Sequence, residues 1–279
     1  MEQGYTEFEL SQKPALDVLE KMGYTILKPE EAEVMRGSKY AVILYDVLRT
    51  QISRINEWEY RGKRQKFSDK NMEQAILDID EPLSDGLIKT NEKIYNMLLL
   101  GRSYPEEISA QDGSRSFNLN YIDWINPDNN VFHAVEEFSV EREDGQGNIR
   151  PDIVLFINGI PFGVIELKKP DVSISQAISQ MIRNQAQNYA PHLFKFAQIL
   201  MAAHKNEAQY ATVGTPLKFW QVWKEETNSE EYEWYKNQLN NAVENRIPTI
   251  QDQNIVSIFH PERVLPLIKS FIIYDKNDK

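Results

Sequence analysis

Three charged residues interrupt an otherwise apolar stretch: Asp152 in Pro151-Asp-Ile-Val-Leu-Phe-Ile157, and Glu166 and Lys168 in Ile160-Pro-Phe-Gly-Val-Ile-Glu-Leu-Lys168. Charges on a strand covered from water are costly unless they are paired or bind a metal. Glu166 and Lys168 are two positions apart, so an extended chain projects both from one face. Two carboxylates and a lysine gathered at the end of a sheet suit a hard divalent cation. Mg²⁺ takes oxygen ligands at about 2.0–2.1 Å and keeps several of its waters. Asp152 and Glu166 would hold it, with the main-chain carbonyl of Leu167 in reach. Such a cation polarises a phosphodiester, lowers the pKa of a bound water and stabilises the leaving oxygen. Lys168 would orient that water or offset charge in the pentavalent transition state. A structural ion pair at a strand end is the plain alternative.

Whether Asp152 joins the other two depends on register. Asn158-Gly159 between the two apolar runs is a strong hairpin signal. A bare two-residue loop there places Asp152 opposite Ile165, on the face away from Glu166. A three-residue loop, with Gly159 as a left-handed bulge residue, places Asp152 opposite Glu166 and brings all three charges to one face. Ile153, Leu155, Ile157, Ile165 and Leu167 then fill one face, and Val154, Phe156, Phe162 and Val164 fit the other. A hairpin apolar on both faces belongs in the middle of a covered sheet.

The elements around the hairpin follow from pattern. Val131–Glu141 is extended in composition, Ser173–Asn188 is a helix, and Gln198–Ala203 and Ala208–Val213 are two further strands. Strand, hairpin, helix, strand, strand is an α/β sheet with a crossover. Before it, to about residue 102, the chain reads as largely helical. Thr6 caps a helix that carries Leu10, Leu16, Leu19 and Met22 inward and stops at Gly23, with Pro14 as a blemish inside it. Ala41–Arg49 begins a helix or a buried strand, while Met72–Leu77 and Thr90–Leu100 have helical spacing. Ser103–Ser116 reads as a surface loop. Beyond Trp220 and Trp223, which read as core or interface aromatics, the chain is charged and helical. Its ending, Phe271-Ile-Ile-Tyr-Asp275, looks cut rather than finished.

Composition bounds the function. The 279 residues carry 31 Lys+Arg against 42 Asp+Glu, a formal charge of −11, and no cysteine. Disulfide frameworks, thiolate zinc sites and cysteine nucleophiles are excluded. The acidic balance argues against indiscriminate nucleic-acid binding by the whole surface but leaves room for one local groove. No apolar run approaches the roughly 18 residues of a membrane span and the start lacks a secretory signal, so a cytoplasmic protein is expected. A nucleophile elbow and a Rossmann glycine pattern are both missing. Arg61-Gly-Lys-Arg-Gln-Lys66 is the one dense basic run, either a phosphate contact or a solvated loop. His133 near Glu136 and Glu137 resembles half of a zinc site without a third ligand.

Pro151-Asp152, thirteen intervening residues and Glu166-Leu167-Lys168 resemble the PD-(D/E)xK nuclease signature, and Gln185 and Tyr189 add the Q-x-x-x-Y pattern of one of its subgroups on the following helix. Asn126-Pro-Asp-Asn-Asn130, Arg150–Pro161, Val164-Ile-Glu-Leu-Lys-Lys-Pro170, Gln209–Val213 and Phe259-His-Pro-Glu-Arg-Val-Leu265 extend the likeness. Together they resemble the N-terminal endonuclease domain of the type I restriction enzyme R (motor) subunit, closely over 118–224, less at 1–30 and poorly across 31–117. The resemblance implies a restriction-endonuclease-like mixed sheet flanked by helices, with a mainly helical insertion at about 31–102. It implies an endonuclease domain over 1–224 and a mostly helical segment, 225–279, leading towards a motor domain absent from this chain.

The implied enzyme is a type I site-specific deoxyribonuclease. It would hydrolyse double-stranded DNA with Mg²⁺ and couple cleavage to ATP-driven translocation in the full subunit, beside methyltransferase and specificity subunits. ATP would bind only there, since this chain has no G-x-x-x-x-G-K-S/T phosphate loop. The resemblance makes Asp152, Glu166 and Lys168 catalytic, with Asp152, Glu166 and Glu7 on the metal and Gln185 and Tyr189 bracing Lys168 or touching DNA. Glu7 as an ordinary first-turn residue and Gln185/Tyr189 as simple packing remain open. A non-cleaving DNA-binding or docking module on the same fold, or a repair nuclease acting alone, are the competing functions.

Overall fold

A computed structural model describes residues 6–227, 229–244 and 246–274. The strands in chain order are β1 (Thr25–Leu27), β2 (Trp58–Tyr60), β3 (Lys63–Gln65), β4 (Arg102–Ser109), β5 (Gly113–Leu119), β6 (Phe132–Glu136), β7 (Val140–Glu141), β8 (Asn148–Ile149), β9 (Ile153–Ile157), β10 (Ile160–Leu167), β11 (Ile199–His204) and β12 (Glu207–Ala211). The helices are α1 (Lys13–Lys21), α2 (Pro29–Arg36), α3 (Tyr45–Ile55), α4 (Asp69–Ile79), α5 (Leu87–Leu100), α6 (Ile174–Asn184), α7 (Pro191–Phe194), α8 (Glu230–Val243), α9 (Ile250–Phe259) and α10 (Pro261–Phe271). None is long and apolar enough to cross a membrane.

One six-stranded mixed sheet, in the order β1-β6-β9-β10-β11-β12, organises the molecule. β1 runs parallel to β6, and β10 parallel to β11, while the other three neighbouring pairs are antiparallel. The parallel step from β10 to β11 needs a crossover, which α6 supplies; α6 packs on β10, β11 and β12. Helix α1 lies on β1, β6 and α9, and α9 also lies on β11 and β12. Every residue of β9, β10 and β11 is buried, as the doubly apolar hairpin demands. The segment after 224 thus returns to the core through α9, whose Phe259 packs edge-on against Phe162.

The hairpin turn is a two-residue loop. Asn158 and Gly159 both take positive φ, 51° and 84°, and Ile157 faces Ile160; this matches the type I′ turn that an Asn-Gly pair favours. Asn158 is locked in place by its amide, which donates to Tyr121 O and Asn130 Oδ1 and accepts the Val131 N–H. Gly159 abuts α3 so closely that an added Cβ would lie 2.6 Å from Leu44 O. Gly159→Ala is therefore expected to cost about 2 kcal/mol or more, read as a lower melting temperature. An unchanged melt would contradict this turn.

Two expectations are corrected. Ser103–Ser116 is not a loop but most of the β4–β5 hairpin. Only Tyr104, Glu106 and Leu119 of its strand residues are buried, so the sequence carries no apolar alternation to reveal it. Ala41–Leu44 is irregular, and the helix begins at Tyr45. The basic run 61–66 forms the β2–β3 turn and strand. There Arg61, Arg64 and Lys66 pair with Asp112, Glu59 and Glu57, which leaves the run little free charge.

Candidate active site

The register needed for a site is present, but through a different device. A two-residue turn alone would put Asp152 on the wrong face; the ladder shifts by one between Pro161 and Gly163. Phe162 is the extra residue of a bulge. Pro161 lacks the N–H for a ladder, and Gly163, on the other side of Phe162, lets Leu155 and Phe259 approach within 3.3 Å and 3.1 Å of where a Cβ would stand. Beyond the bulge Val164 faces Val154 and Ile165 faces Ile153, so Asp152 and Glu166 follow as the next opposed pair. Pro161-Phe162-Gly163 was the readable signal, because proline and glycine inside a strand mark bulges.

Asp152 accepts the Leu167 N–H on Oδ2 at 2.6 Å and the Gln12 amide on Oδ1 at 2.7 Å. Glu166 is 1 % exposed, and its Oε1 lies 3.0 Å from the Lys168 ammonium. That ammonium also donates to Leu167 O at 2.8 Å. It therefore rests on the two oxygens expected to face a cation. Half-buried Glu7 is close enough for its charge to act on all three groups.

Burial pushes the Asp152 carboxyl up to about 6, against the Leu167 N–H and the Lys168 charge. Burial, and then the Asp152 charge, pushes Glu166 up to about 8. For Lys168 burial acts downward, but Glu166, Asp152 and Glu7 together hold it above its ordinary value. One ammonium thus does not balance the acids around it, and the donor set is all hard oxygen. This set fits a divalent cation. Among the described residues no three His, Cys, Asp or Glu side chains form a metal-holding group, so main-chain oxygen and water would have to complete the shell.

The first helix supplies what sequence reasoning missed. Thr6 does cap it: its hydroxyl accepts the Glu9 N–H while the Glu9 carboxylate accepts the Thr6 N–H. Pro14 offers no N–H to Leu10 O, and Phe8–Gln12 widen into a π-turn. Such turns often sit at functional sites. Here the turn buries Ser11 and Gln12; the Ser11 hydroxyl donates to Lys168 O at 2.7 Å. A proline inside a helical pattern was the only local hint.

Gln185 and Tyr189 are not brought to this cluster as a helical pair, which corrects the expectation that one helix face carries both. Helix α6 stops at Asn184, and Gln185 caps it, donating to Met181 O and accepting the Gly214 N–H. Pro191 disfavours helix at Ala190, and Tyr189 lies in the turn between. Its carbonyl accepts the Glu143 N–H at 2.7 Å, and Arg142 stands 4.0 Å over its ring. Gln185 instead lines a cavity of about 1240 Å³ with Tyr40, Asp80, Glu143, His192 and Lys195. That cavity does not include Asp152 or Glu166. Gln185→Leu and Tyr189→Ala should each lower stability by about 1 kcal/mol and leave divalent-cation affinity unchanged. Calorimetric Mn²⁺ titration checks this; weakened binding would return them to the site.

Comparison with known proteins bears on the whole chain. The profile of the family described as "Type I restriction enzyme R protein N terminus" matches residues 4–219. The putative type I restriction enzyme MjaIXP endonuclease subunit of Methanocaldococcus jannaschii is 26% identical over 279 residues, covering 95% of this chain and 25% of its own. The putative MjaVIIP endonuclease subunit of the same organism is 34% identical over 176 residues, 62% of this chain and 15% of its own. The type I restriction enzyme HindI endonuclease subunit of Haemophilus influenzae is 21% identical over 257 residues, 90% and 22% respectively. The chain spans about a quarter or less of the length of these relatives.

Proposed function

The chain belongs to the type I restriction enzyme R protein N-terminus family, and from that premise we propose that it is a PD-(D/E)xK endonuclease domain which hydrolyses double-stranded DNA with Mg²⁺. The single observation that carries this reading is the bulged register that sets buried Asp152 opposite buried Glu166, with Lys168 on the same strand edge. Asp152, Glu166 and the Leu167 carbonyl would hold the cation, with the Glu7 charge nearby. When bound, the cation supplies Lewis-acid activation of water and charge stabilisation at the phosphate. Lys168, now on Glu166 and Leu167 O, would supply its positive charge to the attacked phosphate or the attacking water. Asp152 keeps its orientation through the Leu167 N–H and the Gln12 amide. The buried walls exclude bulk water, which strengthens each of these interactions.

In this reading 1–224 together with α9 is the nuclease domain, with core 118–224 and insertion 31–102, and the rest of 225–279 leads towards the motor. ATP binding, translocation, the methyltransferase and specificity partners and the cytoplasmic setting belong to the full subunit. The test is strand breakage in plasmid DNA by the assembled complex. Breaks with wild type and none with Asp152→Asn support the reading, whereas equal breakage would favour the non-cleaving docking module.

A further inference from the structure

The π-turn before α1 presents a group, the amide oxygen of Gln12, that the reaction as described leaves unused. The turn is clamped from two sides: the Ser11 hydroxyl donates to Lys168 O, and the Ser11 carbonyl accepts from Gln251 Nε2 of α9 at 2.8 Å. Gln12, only 5 % exposed, is thereby held against Asp152. Its Nε2 donates to Asp152 Oδ1 at 2.7 Å, and an ionised carboxylate can accept only from the nitrogen end, which fixes the amide's orientation. The other end, Oε1, is buried and has no hydrogen-bond partner. An unmet buried acceptor costs about 1–3 kcal/mol, so one kept on the side chain that holds Asp152 calls for a donor that arrives with a ligand. A hydrated divalent cation brings such donors, because its bound waters point protons outward.

We propose that Gln12 is a positioning residue of the cation site, its amide N–H aligning Asp152 and its amide oxygen accepting a hydrogen bond from a cation-bound water. The inference rests on the cation-site reading of Asp152 and Glu166 and adds to it. A carboxamide suits the place because it orients both partners without adding another negative charge to a buried, acid-rich site.

Mn²⁺ binding to the chain, measured by calorimetry with circular dichroism as a fold check, tests it. Gln12→Leu is expected to weaken Mn²⁺ binding by about 10-fold or more, the usual cost of losing a group that supports a metal ligand. Gln12→Met, which keeps the side-chain length and removes both amide functions, is expected to weaken Mn²⁺ binding to a similar extent. A merely structural residue would move the melt and not the affinity. Wild-type affinity in Gln12→Leu overturns the proposal, provided Asp152→Asn has lost binding. If Gln12→Leu does not fold, wild-type affinity in Gln12→Met overturns it instead. Full Mn²⁺ affinity in Asp152→Asn would be a different failure, that of the cation site itself.

Discussion

In the full-length subunit, Lys168→Met is expected to lower DNA cleavage by about 10³-fold or more while ATP hydrolysis continues unchanged. The size follows from burial. Lys168 has a side chain only 14% exposed and sits within hydrogen-bond reach of Glu166, so its charge acts with little screening. Asp152→Ala and Glu166→Ala should each abolish cleavage as completely, and combining them should add little, since the three act as one unit. The dissociation between cleavage and ATP hydrolysis separates chemistry from folding. Parallel loss of both activities would assign these residues a structural role.

The second large effect is on stability, and its sign is set by the raised acids. Asp152 and Glu166 bind protons more tightly folded than unfolded. Their stabilising contribution is complete below the unfolded values near 4. It is lost as pH rises through about 6 and about 8. His133, His192 and His260 are pushed down by burial and act oppositely, since they lose stability as pH falls below about 6.5. The informative quantity is therefore the difference between variants.

At pH 8 without metal, Asp152→Asn should exceed wild type by about 2 kcal/mol, several degrees in melting temperature. An asparagine can still accept the Leu167 N–H, and it can donate to the unpartnered Gln12 Oε1 if that amide turns. The advantage should vanish towards pH 4. Millimolar Mg²⁺ or Mn²⁺ should raise the wild-type melt at pH 8 by binding only the folded state, less so as the acids protonate, and should leave Asp152→Asn unmoved. Equal stabilisation of the variant would place the cation elsewhere on this acidic surface.

What the sequence made legible here was whatever repeats with a short period. The doubly apolar runs around Asn158-Gly159 announced a central hairpin, and the helix between it and two further apolar runs announced the crossover. Features set by tertiary partners were not legible. The β4–β5 hairpin is polar on most of both faces and therefore resembled a loop. The spacing of Gln185 and Tyr189 suggested one helical face, but Pro191 and the Gln185–Gly214 bond end the helix first. The site face emerged for a different reason than expected, since the bulge at Phe162, not a longer loop, turns Asp152 towards Glu166. Gln12 was invisible because its role depends on a partner 140 positions away.

Whether Asp152 and Glu166 together hold a divalent cation is visible directly in anomalous scattering from crystals soaked in Mn²⁺. An anomalous peak is expected between the two carboxylates at metal–oxygen distances of about 2.1 Å, with the Lys168 ammonium moved off the Leu167 carbonyl. Saturating Mn²⁺ that leaves Lys168 bridging Glu166 and Leu167, with no peak between the acids, would contradict it.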